Sequence, residues 1–168
     1  MCKVSVRGPP PAFRHLKRTK PMAFIKAEGT ATSRANPSAV FALLKDSGSW
    51  PRWSMFRSAE LERPGKDEPY GVGAIRVFST EVTRSRELVT ELIPDQKLGY
   101  ELLSGMPLRN YRADVRVISA GEGTLITWAS SFQCAFGTGW FWRLFMNGVL
   151  SKMARQLAAA AENSSPAG

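Results

Sequence analysis

Hydrophobic and polar residues alternate over most of the chain, which is the pattern of half-buried β-strands. The first such run is "FIKAEGTATS", and six more follow: "RSAELERPG", "VGAIRVFST", "RSRELVTELIP", "KLGYELLSG", "NYRADVRVISAG" and "GTLITWASSFQCAF". The later separators contain the Gly, Pro and Asp residues of turns, and "AGEGT" predicts a tight hairpin. No long helical pattern interrupts the last six runs, so we expect an antiparallel meander.

Helical patterns occur only after the first strand and at the end of the chain. In "ANPSAVFALLKD", Asn36 is suited to the N-cap and Pro37 to the first helical position. "SGSWPRWSMF" is rich in turn residues and predicts at most a short second helix, with Trp50 and Trp53 facing inward. A long terminal helix is predicted from an N-cap at Thr138 to about Glu162.

The period of two assigns one apolar face to each strand. In "RSRELVTELI", Leu88 and Leu92 mark this face, which predicts that Arg86 points inward and Glu87 outward. A sheet with one apolar face needs a cover, and the terminal helix is the only long element left to provide it. The remaining inward assignments are Leu98, Tyr100 and Leu102; Tyr111, Ala113, Val115 and Val117; and Ile126, Trp128, Phe132 and Cys134.

The segment "GTGWFWRLFMNGVLSKM" is unusually apolar for the start of a surface helix. Arg143 and Asn147 interrupt it, and it is shorter than the ~20 apolar residues of a membrane span. A helix lying on a sheet buries only a ~100° stripe, whereas this half is apolar around most of its circumference. A second subunit, flanking loops or a bound apolar molecule is therefore needed to cover Trp140, Trp142 or Met146.

Composition indicates one globular domain that follows a strongly basic N-terminal segment. The 168 residues carry a formal net charge of +9, but residues 1–21 hold six Lys and Arg and no acid. We expect residues 22–162 to form the domain and residues 163–168 to fray. We expect residues 1–21 to be a disordered basic leader or sequence upstream of a start at Met22; the alternative is an electrostatic tether to nucleic acid or anionic lipid. The remaining 17 bases and 14 acids nearly balance, so we expect no specific nucleic-acid partner.

Two features favour a cytoplasmic location. No apolar stretch follows the charges of the leader, as a secretory signal would require. The two cysteines, Cys2 and Cys134, do not form a disulfide framework, and Cys134 lies in an apolar run typical of a buried small hydrophobe.

The order of elements, together with "GVGAIRVF", "RELVTELIPDQKLGYELLSGMPLRNYRADV" and "GTLITWASSF…GTGWFWRLF", resembles the SRPBCC superfamily. That superfamily includes START and birch-pollen-allergen-like proteins, and the resemblance is closest to its polyketide cyclase/dehydrase-like branch. It implies an α+β helix-grip fold, in which a curved antiparallel sheet of about seven strands wraps around the long C-terminal helix, with two short helices after strand 1. It also implies a deep cavity between sheet and helix that holds a hydrophobic small molecule.

The candidate ligand-binding residues lie on the predicted apolar face, the short second helix and the terminal helix. No cofactor or metal site is expected, because the only histidine, His15, lies in the leader, and CxxC, HExxH and phosphate-loop motifs do not occur. The candidates are Trp53, Ile75, Val77, Arg86, Leu88, Tyr100, Tyr111, Val115, Trp128, Phe141, Leu144 and Phe145.

Arg86 is the most suggestive polar candidate. Inside an apolar cavity it needs a partner, such as a ligand carboxylate, enolate or carbonyl. The alternative is that Arg86 lies in solvent or pairs with a neighbouring acid. Tyr100 and Tyr111 are candidates for hydrogen bonding to a ligand oxygen, or are core aromatics.

The resemblance implies two possible functions for these candidates. The first is binding of a lipid, polyketide or aromatic molecule in the cavity. The alternative is a cofactor-independent cyclase/dehydratase, in which Arg86 and Tyr100 stabilise an enolate and Glu101 acts as base if a bulge turns it inward. The catalytic residues remain unassigned, and a homodimer is the further partner considered.

Overall fold

Seven antiparallel strands form one sheet, in the order β1-β7-β6-β5-β4-β3-β2, and one long helix packs across it. The computed structural model describes residues 22–164. The strands are β1 (Met22–Ser33), β2 (Ser58–Arg63), β3 (Ile75–Ser79), β4 (Arg84–Ile93), β5 (Lys97–Ser104), β6 (Arg109–Ala120) and β7 (Gly123–Ala135). The helices are α1 (Pro37–Lys45), α2 (Trp50–Trp53), which follows a short 3-10 turn, and α3 (Gly139–Ser164).

This architecture confirms the predicted helix-grip fold. The side chain of Asn36 caps α1 by accepting a hydrogen bond from the backbone N of Ala39 at 2.8 Å, and Pro37 begins the helix. The terminal helix continues to Ser164, two residues beyond the predicted domain boundary. The leader of residues 1–21 and residues 165–168 lie outside the described part of the chain.

The hydrophobic core lies on the concave side of β5, β6 and β7. Every residue assigned inward on these three strands is buried, except Leu102, which is half-buried against the core. Cys134 is a fully buried free thiol, as its apolar surroundings in the sequence predict. The period of two therefore identifies the inner face correctly on these strands.

On β4 the predicted orientation is wrong. The buried residues are Ser85, Glu87 and Val89, and the pairing of β4 with β5 shifts register between Val89 and Glu91. This bulge places an extra residue in the strand, so Leu92 packs on the core although it is out of phase with Glu87. The prediction counted back from Leu92 across this bulge, so it assigned the side chains of the first half of the strand to the wrong faces of the sheet.

Helix α3 lies close to the edge strand β1. A Cβ on Gly29 would be 2.1 Å from the backbone N of Ser151, so glycine is needed for this approach. One turn earlier, the side chain of Asn147 accepts a hydrogen bond from the backbone N of Glu28 at 2.9 Å. α3 packs mainly on β1, β7 and α1, and it leaves a cavity between itself and the inner faces of β4 and β5. Within residues 22–164, no helix has the length and apolarity to span a membrane.

Candidate ligand-binding cavity

A cavity of about 470 Å³ lies between the sheet and α3. Its size is in the range of ~300–1,000 Å³ typical of small-molecule sites. It is bounded by α2 and the loop after it, the β3–β4 hairpin, the inner faces of β4 to β7, and α3. The lining residues are Trp50, Met55, Phe56, Arg57, Thr80 to Thr83, Ser85, Glu87, Tyr100, Met106, Tyr111, Trp128, Phe145, Met146, Val149, Leu150 and Met153.

Aromatic side chains form the inner end of this cavity. Trp50 and Trp128 meet edge to face with ring centroids 5.6 Å apart, and both are fully buried. The indole Nε1 of Trp128 donates a hydrogen bond to the hydroxyl of Tyr100 at 3.0 Å. The ring of Tyr111 lies 6.4 Å from that of Tyr100. These contacts fix the shape of the inner end before any ligand enters.

A buried ion pair underlies the aromatic group. The Nη2 of Arg76 is 3.0 Å from Oε2 of Glu87, and both side chains are almost completely removed from solvent. The guanidinium carbon of Arg76 also lies over the rings of Trp50, Phe78 and Tyr100, at 4.9, 5.3 and 5.2 Å from their centroids. Glu87 lines the cavity, whereas Arg76 lies behind the cavity wall.

Burial determines the protonation of these groups. It raises the pKa of Glu87, and the charge of Arg76 and its hydrogen bond offset this only in part. Burial likewise raises the pKa of Tyr100 and Tyr111, and the negative charge of Glu87 adds to both shifts. Both phenols are therefore protonated at neutral pH and can donate hydrogen bonds.

The entrance is formed by more exposed residues. The side chains of Arg57 and Glu81 form an ion pair across the entrance and are 69% and 68% exposed. At the tip of the β3–β4 hairpin, Val82 is 89% exposed. Met55 and Phe145 are also partly exposed while lining the cavity, so the apolar lining continues out to the surface.

The helical wall is formed by residues on one side of α3. Met146, Val149, Leu150 and Met153 follow the spacing of one helix face and line the cavity. The two methionines have flexible, polarisable side chains that adapt to ligands of different shape. The cavity therefore has a rigid aromatic inner end and an adaptable wall formed by α3.

The cavity brings together four of the sequence-predicted site residues: Tyr100, Tyr111, Trp128 and Phe145. Val115 is fully buried in the core and does not line the cavity. Trp53 packs against the core from outside the cavity, and its Nε1 donates a hydrogen bond to the hydroxyl of Ser49 at 3.0 Å.

Four further candidates lie on the opposite face of the sheet. Arg76 and Phe78 face inward on β3, so Ile75 and Val77 face the other side, where Val77 pairs with Arg86 and Ile75 with Leu88. Arg86 forms a bidentate ion pair with Glu62, and its side chain is 40% exposed. The expected inward orientation of Arg86 is therefore wrong, because the bulge in β4 reverses the phase on which it was based.

Two helix candidates also fall outside the cavity. Phe141 is 49% exposed and Leu144 is 70% exposed, and neither lines it. Together with Trp140, which is 73% exposed, they form an apolar surface on the first half of α3, which we call the outer helix face. Met146 is buried, so it does not belong to this face.

Sequence reasoning missed Glu87, the hairpin tip and the methionine wall. The methionines carried a usable signal, since Met146, Val149, Leu150 and Met153 share the spacing of a helix face. Glu87 carried none, because its orientation depends on a bulge that strand alternation does not reveal. Glu101, the proposed base, pairs with Arg112 at 2.9 Å and does not line the cavity.

The comparisons with known proteins agree with this geometry. The profile of the family described as "Polyketide cyclase / dehydrase and lipid transport" matches residues 25–162. The chain belongs to this family. The predicted resemblance to the SRPBCC superfamily and its polyketide cyclase/dehydrase-like branch is confirmed. A search of the curated proteins finds no match.

Solved structures of the same fold come from several sources. A START superfamily protein from Mycobacterium smegmatis has a TM-score of 0.73 at 12% identity, covering 83% of this chain and 99% of that one. The protein XoxI from Bacillus cereus gives a TM-score of 0.68 at 17% identity, with coverage of 81% and 94%. Ara h 8.0201 gives 0.66 at 12% identity, with coverage of 84% and 100%. At these identities, the three solved structures show that this chain shares their fold and nothing further.

Proposed function

We propose that this protein binds a hydrophobic small molecule, a lipid, a polyketide or an aromatic compound, in the cavity beneath α3. The observation that carries the proposal is the cavity itself: about 470 Å³, with an aromatic inner end and an apolar lining that continues to the surface at Phe145 and Met55. An apolar cavity with a few polar groups at one end is the usual form of a small-molecule site. Membership of a family described by both polyketide chemistry and lipid transport is consistent with such ligands.

Catalysis as a cyclase/dehydratase is the second candidate. The residues first assigned to it do not support it, because Arg86 pairs with Glu62 and Glu101 with Arg112, away from the cavity. One observation still favours it: Glu87, whose pKa is raised by burial, faces the cavity beside Tyr100 and Tyr111. A carboxyl group of raised pKa in a cleft is suited to proton transfer. Binding requires only the cavity and remains the main proposal.

The test begins with the protein as purified from its host. Native mass spectrometry followed by organic extraction will show whether an apolar molecule co-purifies and to which class it belongs. In parallel, the extracted protein is titrated with a fluorescent fatty acid and with a naphthalene probe. Saturable binding of one molecule per chain supports the proposal, whereas no co-purified molecule and no saturable binding of either probe would contradict it.

A matched control distinguishes cavity binding from adsorption to the outer helix face. Met153→Trp fills the cavity from its helical wall, whereas Leu144→Ala removes an exposed apolar group outside the cavity. Probe binding in the cavity is lost only in the first variant, provided that its circular dichroism spectrum is unchanged. Loss only in Leu144→Ala would assign the probe to the surface.

The outer helix face supports a further proposal about partners. Trp140 and Leu144 are 73% and 70% exposed on one side of α3, and Phe141 lies between them. Contiguous exposed apolar residues of this kind mark interaction surfaces. We propose that a second copy of the chain covers them in a homodimer.

A further inference from the structure

The charge that faces the cavity at its inner end is negative. Within residues 22–164, three charged residues line the cavity. Two of them, Arg57 and Glu81, pair with each other at the entrance, where both are largely exposed. Glu87 is the third, and only 7% of its surface is accessible. A ligand that reaches the inner end therefore meets a carboxyl group there.

The cation that balances Glu87 is positioned where a ligand does not reach it. Arg76 is completely buried and is not among the residues that line the cavity. Three aromatic rings surround its guanidinium group, and Glu87 accepts a hydrogen bond from Nη2. Within the described residues, Nε and Nη1 have no hydrogen-bond partner, so the rings of Trp50, Phe78 and Tyr100 provide the rest of its stabilisation.

Hydrogen-bond donors accompany this carboxyl group. The hydroxyl of Tyr100 accepts a hydrogen bond from Trp128 and is itself hydrogen-bonded to Tyr111. Tyr111 also lines the cavity and remains protonated, so its own proton can be donated. The inner end therefore combines an acceptor at Glu87 with a phenol donor at Tyr111. A hydroxyl group, which both donates and accepts, complements this combination, whereas a carboxylate can only accept and carries a like charge.

We propose that the cavity selects neutral amphipathic ligands that place a hydroxyl or phenol group at the inner end, and that it discriminates against the corresponding carboxylates. The proposal rests on the proposed binding function and specifies its ligand class. It also reverses the preference expected from an inward Arg86, which would have favoured acidic ligands.

The experiment compares three probes of one shape at pH 7: 2-naphthol, which is neutral, 2-naphthoate, which is an anion, and 2-methylnaphthalene, which has no polar group. Isothermal titration calorimetry on the full chain measures the Kd of each. We expect 2-naphthol to bind at least ~10-fold more tightly than 2-naphthoate and also more tightly than 2-methylnaphthalene. Binding of none of the three contradicts the proposed function itself.

Other outcomes overturn only the selectivity. Equal affinities for all three probes would show that Glu87 does not contact the ligand. Tighter binding of 2-naphthoate would show that Arg76 reaches it. In Glu87→Gln, which removes the charge but keeps the shape, the ratio of the 2-naphthol and 2-naphthoate affinities falls toward unity. Glu101→Gln, at a residue that pairs with Arg112 outside the cavity, leaves the ratio unchanged.

Glu87→Gln also leaves Arg76 without its ionic partner, and this can prevent folding. The double variant Arg76→Met, Glu87→Gln removes both charges, a replacement that buried ion pairs often tolerate. Its selectivity against 2-naphthoate is expected to disappear as well. A double variant that is folded by circular dichroism and still rejects the anion as strongly as the native protein overturns the proposal.

Discussion

The indole nitrogen of Trp128 donates its hydrogen bond to the hydroxyl of Tyr100 across 3.0 Å, joining β7 to β5 inside the cavity wall. The two strands are separated by β6, so this bond spans the concave side of the sheet. Both residues are buried. The pair therefore links the stability of the sheet to the shape of the cavity.

Tyr100→Phe is expected to lower the free energy of unfolding by about 1–3 kcal/mol, because it leaves the buried Nε1 of Trp128 without an acceptor. Urea denaturation measures the loss. Trp128→Phe provides the matched control, and the double variant should lose less than the sum of the two single variants. Strict additivity would mean that this hydrogen bond contributes nothing to stability.

The contact between α3 and β1 gives a second prediction. Gly29→Ala places a methyl group 2.1 Å from the backbone N of Ser151, so the helix must move away from the strand. We expect a loss of about 3 kcal/mol or more, at or above the upper end of the usual cost of overpacking because the clash is with backbone atoms, or failure to fold. Thermal unfolding is the measurement.

Gly148→Ala, in helix α3 itself, is the control for Gly29→Ala on strand β1. A methyl group there meets nothing within 4 Å, and alanine is the better helix former by about 1 kcal/mol. This variant should therefore be slightly more stable than the native protein. If both variants lost stability equally, the close approach at Gly29 would not be the reason for the loss.

These contacts also show what sequence patterns can and cannot predict. Alternation identified the inner face around Val115 and Trp128 because β6 and β7 pair there without a shift in register. The orientation of Arg86 and Glu87 depends on a bulge that forms only through pairing with β5, so no local pattern encodes it. The resemblance to the superfamily predicted the cavity, but its polar residues could not be chosen without the register of β4.

The first half of α3 also shows which features can be predicted from the sequence and which cannot. Its excess of apolar residues correctly indicated that one stripe could not bury them all. The sequence could not tell which residues face the cavity, because this depends on the rotation of the helix set by Gly29 and Asn147 against β1. Phe145 lines the cavity, whereas Leu144, the adjacent residue, faces outward.

Phe145 and Phe141 form a matched pair for testing the cavity wall. They are 47% and 49% exposed and stack with centroids 6.1 Å apart, but only Phe145 lines the cavity. Phe145→Ala should destabilise by less than the ~3–5 kcal/mol of a fully buried phenylalanine. It should weaken binding of a naphthalene probe about fivefold, as expected for a lost contact of ~1 kcal/mol.

Phe141→Ala should match Phe145→Ala in stability and leave probe binding unchanged, as measured by fluorescence titration. An equal loss of affinity in both variants would place the probe on the outer helix face. A loss of ~4 kcal/mol in Phe145→Ala without any effect on binding would make this part of α3 an ordinary core helix.

The raised pKa of Glu87 predicts a specific pH dependence of stability. Burial raises this pKa above its ordinary value of 4.5, so the folded protein keeps the proton to higher pH than the unfolded chain does. The unfolded state therefore binds fewer protons between 4.5 and the raised pKa, and the contribution of Glu87 to stability falls as the pH rises through that window.

Glu87→Gln isolates this contribution, because other titrating groups are shared by both proteins and cancel in the difference. The free energy of unfolding of the native protein minus that of Glu87→Gln should increase as the pH is lowered from 7 toward 4.5, and level off below it. Urea denaturation at several pH values measures it. A difference that shrinks with falling pH would show that the ion pair with Arg76 outweighs burial and holds the pKa of Glu87 low.

The outer helix face leads to the last prediction. If a second copy of the chain covers Trp140 and Leu144, which are 73% and 70% exposed, then Leu144→Glu places two like charges in the shared interface and separates the copies. Light scattering as a function of concentration should show the mass of a dimer for the native protein and of a monomer for the variant. Leu103→Glu, at a 43% exposed site on β5, is the control and should remain dimeric. A native protein that stays monomeric at micromolar concentrations would contradict the homodimer and leave the outer helix face to another partner.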